Sequence, residues 1–232
     1  MTSKIYSYIL RYDDGAAPNP FGDICTLTIC KPAIRRTASI GDWIIGTGSK
    51  NTRVTKTDTV NLSDSLVYAM KVTDKKSLAD YDQFCNQSLQ SKIPVWKTKD
   101  WRLRMGDCIY DYSKSGDPII RKSVHNETNR GTDIGGKFAL LSTDFYYFGL
   151  AAVQIPSELK QLIKQSQGHK IIQQEDLVIK FENWIKEFTA NTILGDPQLR
   201  WMFDKEVNDD LISGCSKQDY EEDQDESCET VC

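Results

Sequence analysis

The sequence lacks the residues and patterns of several large protein classes. It contains two histidines, His125 and His169, and no Cys-x-x-Cys pair, so it shows no typical metal-binding motif. Its seven cysteines are irregularly spaced, which argues against the disulfide framework of a secreted protein. No apolar run approaches the roughly 18 residues of a membrane span, and the N-terminus lacks the layout of a signal peptide. We therefore expect a soluble cytoplasmic protein without a metal site.

The chain is long enough for one sizeable core, with 232 residues of which 39% are hydrophobic. Residues 215–232 contain seven acidic residues and one lysine. Because the whole chain carries a net charge of -4 and this segment -6, residues 1–214 carry about +2. The acidic segment has too little apolar surface to fold. We predict a single domain over residues 1–214 and a disordered acidic tail over residues 215–232.

Hydrophobic periodicity predicts strands in the first part of the chain and helices in the last. Aromatic, β-branched and alternating apolar residues predict strands within 4–12, 23–30, 41–49, 65–73, 106–112 and 137–149. Helical spacing and start signals predict helices over 77–87, 156–165 and 175–188. This order indicates an α+β fold with a mostly antiparallel β core followed by C-terminal helices.

One long polar segment, residues 113–136, has no clear periodicity and is rich in glycine. A loop of this length inside a compact domain is usually either functional or disordered. It contains His125, a candidate general acid or base, although a lone histidine is more often structural.

A basic cluster and a glycine-rich segment lie close together in the sequence. Residues 31–36 read KPAIRR, and guanidinium and ammonium groups suit phosphate or carboxylate. Residues 46–49 read GTGS, whose glycines and hydroxyls can approach an anion, although GxxxxGK[ST] is absent. A solvated basic surface and a plain hairpin turn are the alternatives. If the two segments converge, the candidate ligand-binding residues are Lys31, Arg35, Arg36, Thr47, Gly48 and Ser49.

Aromatic side chains near charged loops are candidates for base stacking, which is worth about 1–3 kcal/mol per base. Trp101, in the stretch 95–107 where aromatics and cations alternate, and Tyr110 are the candidates, with core packing as the alternative. Cys30 directly precedes a lysine, and neighbouring cations lower the pKa of a thiol. Cys30, Asp42 and His125 are the candidates for proton or group transfer.

Several blocks resemble one known family. APNPF, CTLTICKPAIRRTASIGDWIIGTGS, LVYAM and GDCIY occur in order, followed by His125-Asn126, DFYYFG, GHK and GDP. Over most of residues 4–200 the chain is similar to the nucleotide modification associated domain 2 family. The segment after Ser49, NTRVTKTDTVNLSDS, departs from that pattern. The resemblance implies distinctive polar positions at Asn19, Cys30, Lys31, Arg35, Arg36, Asp42, Thr47, Ser49 and Asp107.

The resemblance implies a mostly β domain that acts on or reads a nucleotide or a modified base, in DNA-modification or phage-defence systems. The paired Gly-Asp strand entries also resemble base-reading barrels of the PUA-like kind. Three functions follow: a nucleotide-directed enzyme, a non-catalytic reader of a base or free nucleotide, and a protein-interaction domain. The expected partner is a nucleotide or modified base, with DNA as a further candidate. The near-neutral charge of residues 1–214 disfavours broad binding to duplex DNA. No motif identifies a cofactor.

Overall fold

The computed structural model describes residues 3–203 and 228–231. In this part of the chain the strands are β1 (Ile5–Ile9), β2 (Cys25–Leu27), β3 (Trp43–Thr47), β4 (Thr52–Arg53), β5 (Thr59–Val60), β6 (Ser65–Lys71), β7 (Asp74–Ser77), β8 (Tyr110–Asp111), β9 (Ile119–Ile120), β10 (Phe138–Ser142), β11 (Asp144–Tyr147), β12 (Val153–Gln154), β13 (His169–Ile172), β14 (Thr192–Ile193) and β15 (Cys228–Val231). The α-helices are α1 (Pro32–Thr37), α2 (Leu78–Ser88), α3 (Trp101–Arg104), α4 (Arg130–Gly135) and α5 (Glu175–Ile185). Short 3-10 helices cover Gln90–Lys92, Glu127–Asn129, Gly149–Ala151, Ser157–Leu162 and Arg200–Phe203.

The largest sheet is open and mixed, with the strand order β14-β11-β6-β3-β1-β13-β15 and β12 also paired to β6. At its centre β1 and β3 run parallel, while β13 and β6 run antiparallel to their neighbours β1 and β3. The α+β class is confirmed. The predicted PUA-like barrel is not observed, because β14 and β15 are the edges of this sheet and the described strands do not close into a barrel.

The two faces of the large sheet are covered by different layers. Alternate residues of β3 point to opposite faces of the sheet. Trp43 and Ile45 pack in the hydrophobic core beneath α5, whereas Ile44 packs in a second core on the opposite face. On that second face the small sheet β2-β10-β7 packs, with Leu27 and Leu140 in the shared core. The order of layers is therefore α5, large sheet, then small sheet with α1.

The predicted helices have mixed outcomes. Ser77 caps α2 by accepting a hydrogen bond from the Asp80 amide at 3.1 Å, as its sequence indicates. The apolar stripe of α5 is confirmed, with Leu177, Phe181 and Ile185 buried. The helix predicted over 156–165 is only the 3-10 segment Ser157–Leu162, and the basic residues 31–36 lie mainly in helix α1 instead of an open turn.

The segments expected to be irregular contain regular structure. Residues 113–136 include β9, a 3-10 turn and α4, and they bring His125 and Asp133 together. In the acidic tail, Cys228–Val231 form β15 beside β13, so the expectation of disorder does not apply to these four residues. Residues 215–227 and 232 lie outside the described part of the chain.

Candidate functional site

Cys30 occupies a sharp bend between strand β2 and helix α1. Its φ is 56° and that of Lys31 is 42°, which are left-handed values that non-glycine residues rarely adopt. Such positions cost of order 1–3 kcal/mol each and persist where the surroundings fix them. A proline usually favours extended geometry in the residue before it, but Lys31, which precedes Pro32, is the left-handed N-cap of α1.

The bend is fixed through the backbone of Cys30. Its amide donates to Asp133 Oδ1 at 2.9 Å, and its carbonyl accepts from Arg35 Nε at 2.7 Å. Both partners are fully buried. The local strain is therefore offset by hydrogen bonds from α1 and α4, and the direction of the Cys30 side chain is set by these contacts.

Three side chains form a continuous hydrogen-bonded series. His125 Nε2 lies 3.5 Å from Cys30 Sγ, and His125 Nδ1 lies 2.7 Å from Asp133 Oδ2. With the Nδ1 proton directed to the carboxylate, Nε2 is left to accept the thiol proton. Cys30, His125 and Asp133 thus have the connectivity of a nucleophile, a general base and the carboxylate that orients the base. We call this set the thiol triad.

The carboxylate of Asp133 is ionised in spite of its burial. Burial works against the charged form, but His125, the Arg35 guanidinium and the Cys30 amide outweigh it and hold the pKa of Asp133 below its usual value. Tyr110 adds a hydroxyl donor to Asp133 Oδ2 at 3.0 Å. A carboxylate that stays charged keeps His125 in one tautomer and orientation.

Tyr110 therefore contributes its hydroxyl to the triad and does not offer its ring as an open stacking surface. The side chain is buried, and Arg130 lies over the ring at 5.7 Å from the centroid. Burial and the neighbouring Asp133 raise the pKa of its phenol. Tyr110 is neutral at physiological pH and remains a hydrogen-bond donor.

The structure directs Arg35 into the protein interior. Its guanidinium donates to the carbonyls of Cys30 at 2.7 Å, Phe138 at 3.0 Å and Asp133 at 2.5 Å. Arg36 donates to the carbonyl of Gly135 at 3.0 Å. Both arginines bind backbone carbonyls that surround the triad, so these hydrogen bonds are those of a scaffold.

The glycine-rich segment lies elsewhere and is also used in packing. A Cβ on Gly48 would lie 2.4 Å from Leu62 Cβ, and the Gly48 amide donates to the Ser65 carbonyl at 2.9 Å. Thr47 Oγ1 donates to the Tyr8 carbonyl at 3.3 Å. Gly48 and Ser49 line a groove that does not include Arg35 or Arg36, so the two predicted halves of one phosphate pocket are not brought together.

Three other predicted polar side chains are buried and bond to residues outside the thiol triad. Asp42 accepts from the Lys4 and Ser39 amides at 2.9 and 2.8 Å, where β3 begins. Asn19 Oδ1 accepts from the buried Lys92 ammonium at 2.8 Å. Asp107 accepts hydrogen bonds from the Thr26 and Tyr81 hydroxyls, and burial raises the pKa of its carboxyl. The predicted stacking residue Trp101 packs edge-on against Phe21.

A narrow crevice leads to the thiol triad. It is lined by Leu10, Tyr12, Asp14, Ala16, Ala17, Ile29, Cys30, Lys31, Val124 and His125. Its volume is about 10 Å³, which is room for about one water-sized group. Lys31 Nζ lies 5.2 Å from the centre of the Tyr8 ring. The crevice is too small to hold a whole nucleotide.

Asp133 is the functional residue that the sequence analysis missed. It lies eight residues after His125 in the polar segment, which has no clear periodicity that would place the two residues on one element. The available signal was the segment itself, a long polar loop containing a histidine. In the part of the chain described, no three His, Cys, Asp or Glu side chains form a metal-binding group.

The open mixed sheet with a Cys-His-Asp site on its second layer defines an α+β protein with a thiol-centred candidate active site. The chain belongs to the nucleotide modification associated domain 2 family, whose model matches residues 2–205. No curated protein and no solved structure matches the chain significantly. Within residues 3–203 and 228–231, no helix has the length and apolar character needed to traverse a bilayer.

Proposed function

We propose that the protein is a thiol-dependent enzyme that acts on a nucleotide or a modified base. Cys30 is the nucleophile, His125 the general base and acid, and Asp133 the group that positions His125. The observation that carries the proposal is the alignment of Sγ, the imidazole and the carboxylate at 3.5 and 2.7 Å. The family description, which names nucleotide modification, supports the substrate class.

The chemistry that this arrangement suits is transfer of an acyl group. His125 Nε2 takes the proton of Cys30, and the thiolate attacks an acyl carbon borne by the nucleotide or base. The Sγ–carbon bond forms, the bond to the leaving group breaks, and the leaving group takes the proton from His125. Water, deprotonated by His125, then cleaves the thioester, releases the acid and returns the proton to Cys30.

The size of the crevice fits a reaction of this kind. In this proposal only the reacting carbonyl enters the crevice, which has room for about one water-sized group, and the nucleotide stays outside. Five described cysteines are free thiols: Cys25, Cys30, Cys85, Cys108 and Cys228. This supports action in a reducing compartment such as the cytoplasm, in the DNA-modification or phage-defence setting that the resemblance implies.

The experiment that tests the proposal is incubation with acylated and otherwise modified nucleotides and DNA, read by mass spectrometry. We expect product and a transient mass increase on the peptide that contains Cys30. Cys30→Ala removes both, whereas Cys228→Ser, which alters an exposed thiol, removes neither. Equal turnover by wild type and Cys30→Ala contradicts thiol catalysis.

The alternative is a reader module that binds a modified base without chemistry. It is favoured by Trp101, a half-buried ring flanked by Arg102 and Arg200 at 5.2 and 5.4 Å from its centroid. A reader binds its ligand equally well with Ala at position 30 and gives no turnover. Loss of binding in Trp101→Ala, combined with unchanged ligand mass, supports the reader over the enzyme.

A further inference from the structure

One end of the large sheet forms a groove that the thiol triad does not use. Strands β1 and β3 are parallel and both end there, because Ile9 pairs with Thr47. Strands β13 and β6 are antiparallel to them, so the segments that precede these two strands reach the same end. The groove is consequently lined by residues 9, 11–12, 48–51, 63–64 and 163–165.

The groove is predominantly positive. Arg11, Lys50 and Lys164 line it, against one carboxylate, that of Asp64. Lys164 pairs with Glu229 at 3.0 Å, and Asp64 pairs with Lys160 at 3.2 Å. Among the described residues Lys50 forms no ion pair, and its side chain is exposed. A concave surface with excess positive charge attracts an anion.

The groove and the crevice at Cys30 have one lining residue in common. Tyr12 lines both of them, and the residues around it alternate: Ile9 and Arg11 line the groove, whereas Leu10 and Asp14 line the crevice. The groove has a volume of about 730 Å³, within the range of about 300–1,000 Å³ for small-molecule sites. The groove is therefore large enough for a mononucleotide-sized ligand, and Tyr12 is the residue between this ligand and the crevice at Cys30.

We propose that this groove binds the phosphate group of a nucleotide, whose reactive substituent extends past Tyr12 to Cys30. The second half of this statement rests on the proposed function, and the first half does not. Lys50 supplies an exposed cation and Asn51 an amide donor to the phosphate, with Arg11 beside them. Because the Gly48 and Ser49 amides already bond to Ser65 and Thr52, side chains provide the contacts.

Binding measured in the Cys30→Ala protein tests the proposal, since no turnover complicates it. The probes are the four deoxynucleosides, their 5′-monophosphates and a five-nucleotide single strand, titrated by calorimetry at low salt. We expect the monophosphates to bind at least about tenfold more tightly than the nucleosides, and Lys50→Glu to remove that difference. Lys56→Glu, an equal charge change on the exposed β4–β5 turn outside the groove, leaves it intact.

The outcomes separate the groove from the thiol chemistry. Equal affinity for nucleosides and monophosphates, or equal effects of the two lysine variants, overturns the groove proposal, as does absence of binding up to millimolar concentration. A Lys50 effect without any Cys30-dependent turnover upholds the groove and contradicts the enzyme. Tighter binding of the strand than of the monophosphates assigns the phosphate to nucleic acid, and the reverse order assigns it to a free nucleotide.

Discussion

The backbone amide of Cys30 donates a hydrogen bond to Asp133 Oδ1 at 2.9 Å. The same carboxylate faces the His125 ring through its other oxygen, at 2.7 Å. Asp133 thereby fixes both the bend that presents the thiol and the ring that serves as the base in the proposed mechanism. In many acyl-transfer enzymes the amide of the nucleophile helps to bind the oxyanion. Here it is engaged by Asp133, so a developing oxyanion must take its donors from other groups.

Replacing Asp133 by asparagine tests this dual role. Asp133→Asn keeps the size of the side chain but removes the charge that holds His125 in one tautomer. We expect the turnover rate to fall by about 10²- to 10⁴-fold, with a smaller change in substrate affinity. Steady-state kinetics check this, with Asp117→Asn in the exposed part of the same segment as the control. A turnover rate equal to that of the wild type contradicts the assignment of Asp133.

Tyr110 is expected to act through Asp133. Tyr110→Phe keeps the ring and removes the hydroxyl donor, a loss worth about 1.5–3 kcal/mol for a bond to a charged group. The pKa of Asp133 then rises, and the low-pH limb of the rate profile moves to higher pH. Tyr112→Phe, a half-buried neighbour, is the matched control. An unchanged profile together with weaker nucleotide binding assigns Tyr110 to stacking instead.

Arg35 is expected to determine stability more than ligand affinity. Its three backbone acceptors, the carbonyls of Cys30, Asp133 and Phe138, are surrounded by protein. Lysine cannot reproduce the planar fork, so Arg35→Lys lowers the free energy of unfolding by about 2–4 kcal/mol. Urea unfolding measures this, with the exposed Arg53→Lys as control. A stable Arg35→Lys protein with impaired nucleotide binding restores the phosphate role.

Asp13 gives the fold a pH dependence of its own. Burial raises the pKa of its carboxyl to about 6, although Tyr147 and the Gln198 amide donate to it. Asp13 therefore binds its proton more tightly in the folded protein than in the unfolded chain, where the pKa of this carboxyl is 3.8. The protonated Asp13 therefore stabilises the folded protein below pH 4, and this stabilisation is lost as pH rises through about 6. The free energy of unfolding decreases by about 2–3 kcal/mol over this range.

Urea unfolding at a series of pH values from 4 to 7 measures this decrease. Asp13→Asn cannot ionise, so its free energy of unfolding should lack the Asp13 part of the slope. Asp23→Asn, which replaces an exposed carboxyl nearby in sequence, should retain the Asp13 part of the slope. Equal slopes in wild type and Asp13→Asn contradict the assignment.

Much of the fold could be predicted because it depends on local pattern. Alternating apolar residues located β1, β3, β6, β10 and β11, and the stripe of α5 predicted its buried face. Two members of the triad, Cys30 and His125, were candidates on residue type alone. Periodicity could not determine which strands are neighbours, because pairing brings together residues far apart in sequence, such as β13 and β1.

The sequence by itself determined the α+β class, the family and the chemistry-bearing residue types. Tertiary structure decided which of those residues meet. Cys30 and His125 are separated by 95 residues and Cys30 and Asp133 by 103, so no local spacing encodes their contact. Tertiary structure also decided where the Arg35 guanidinium lies. Buried carbonyls require hydrogen-bond donors, and Arg35 supplies these donors to the protein interior instead of to a ligand.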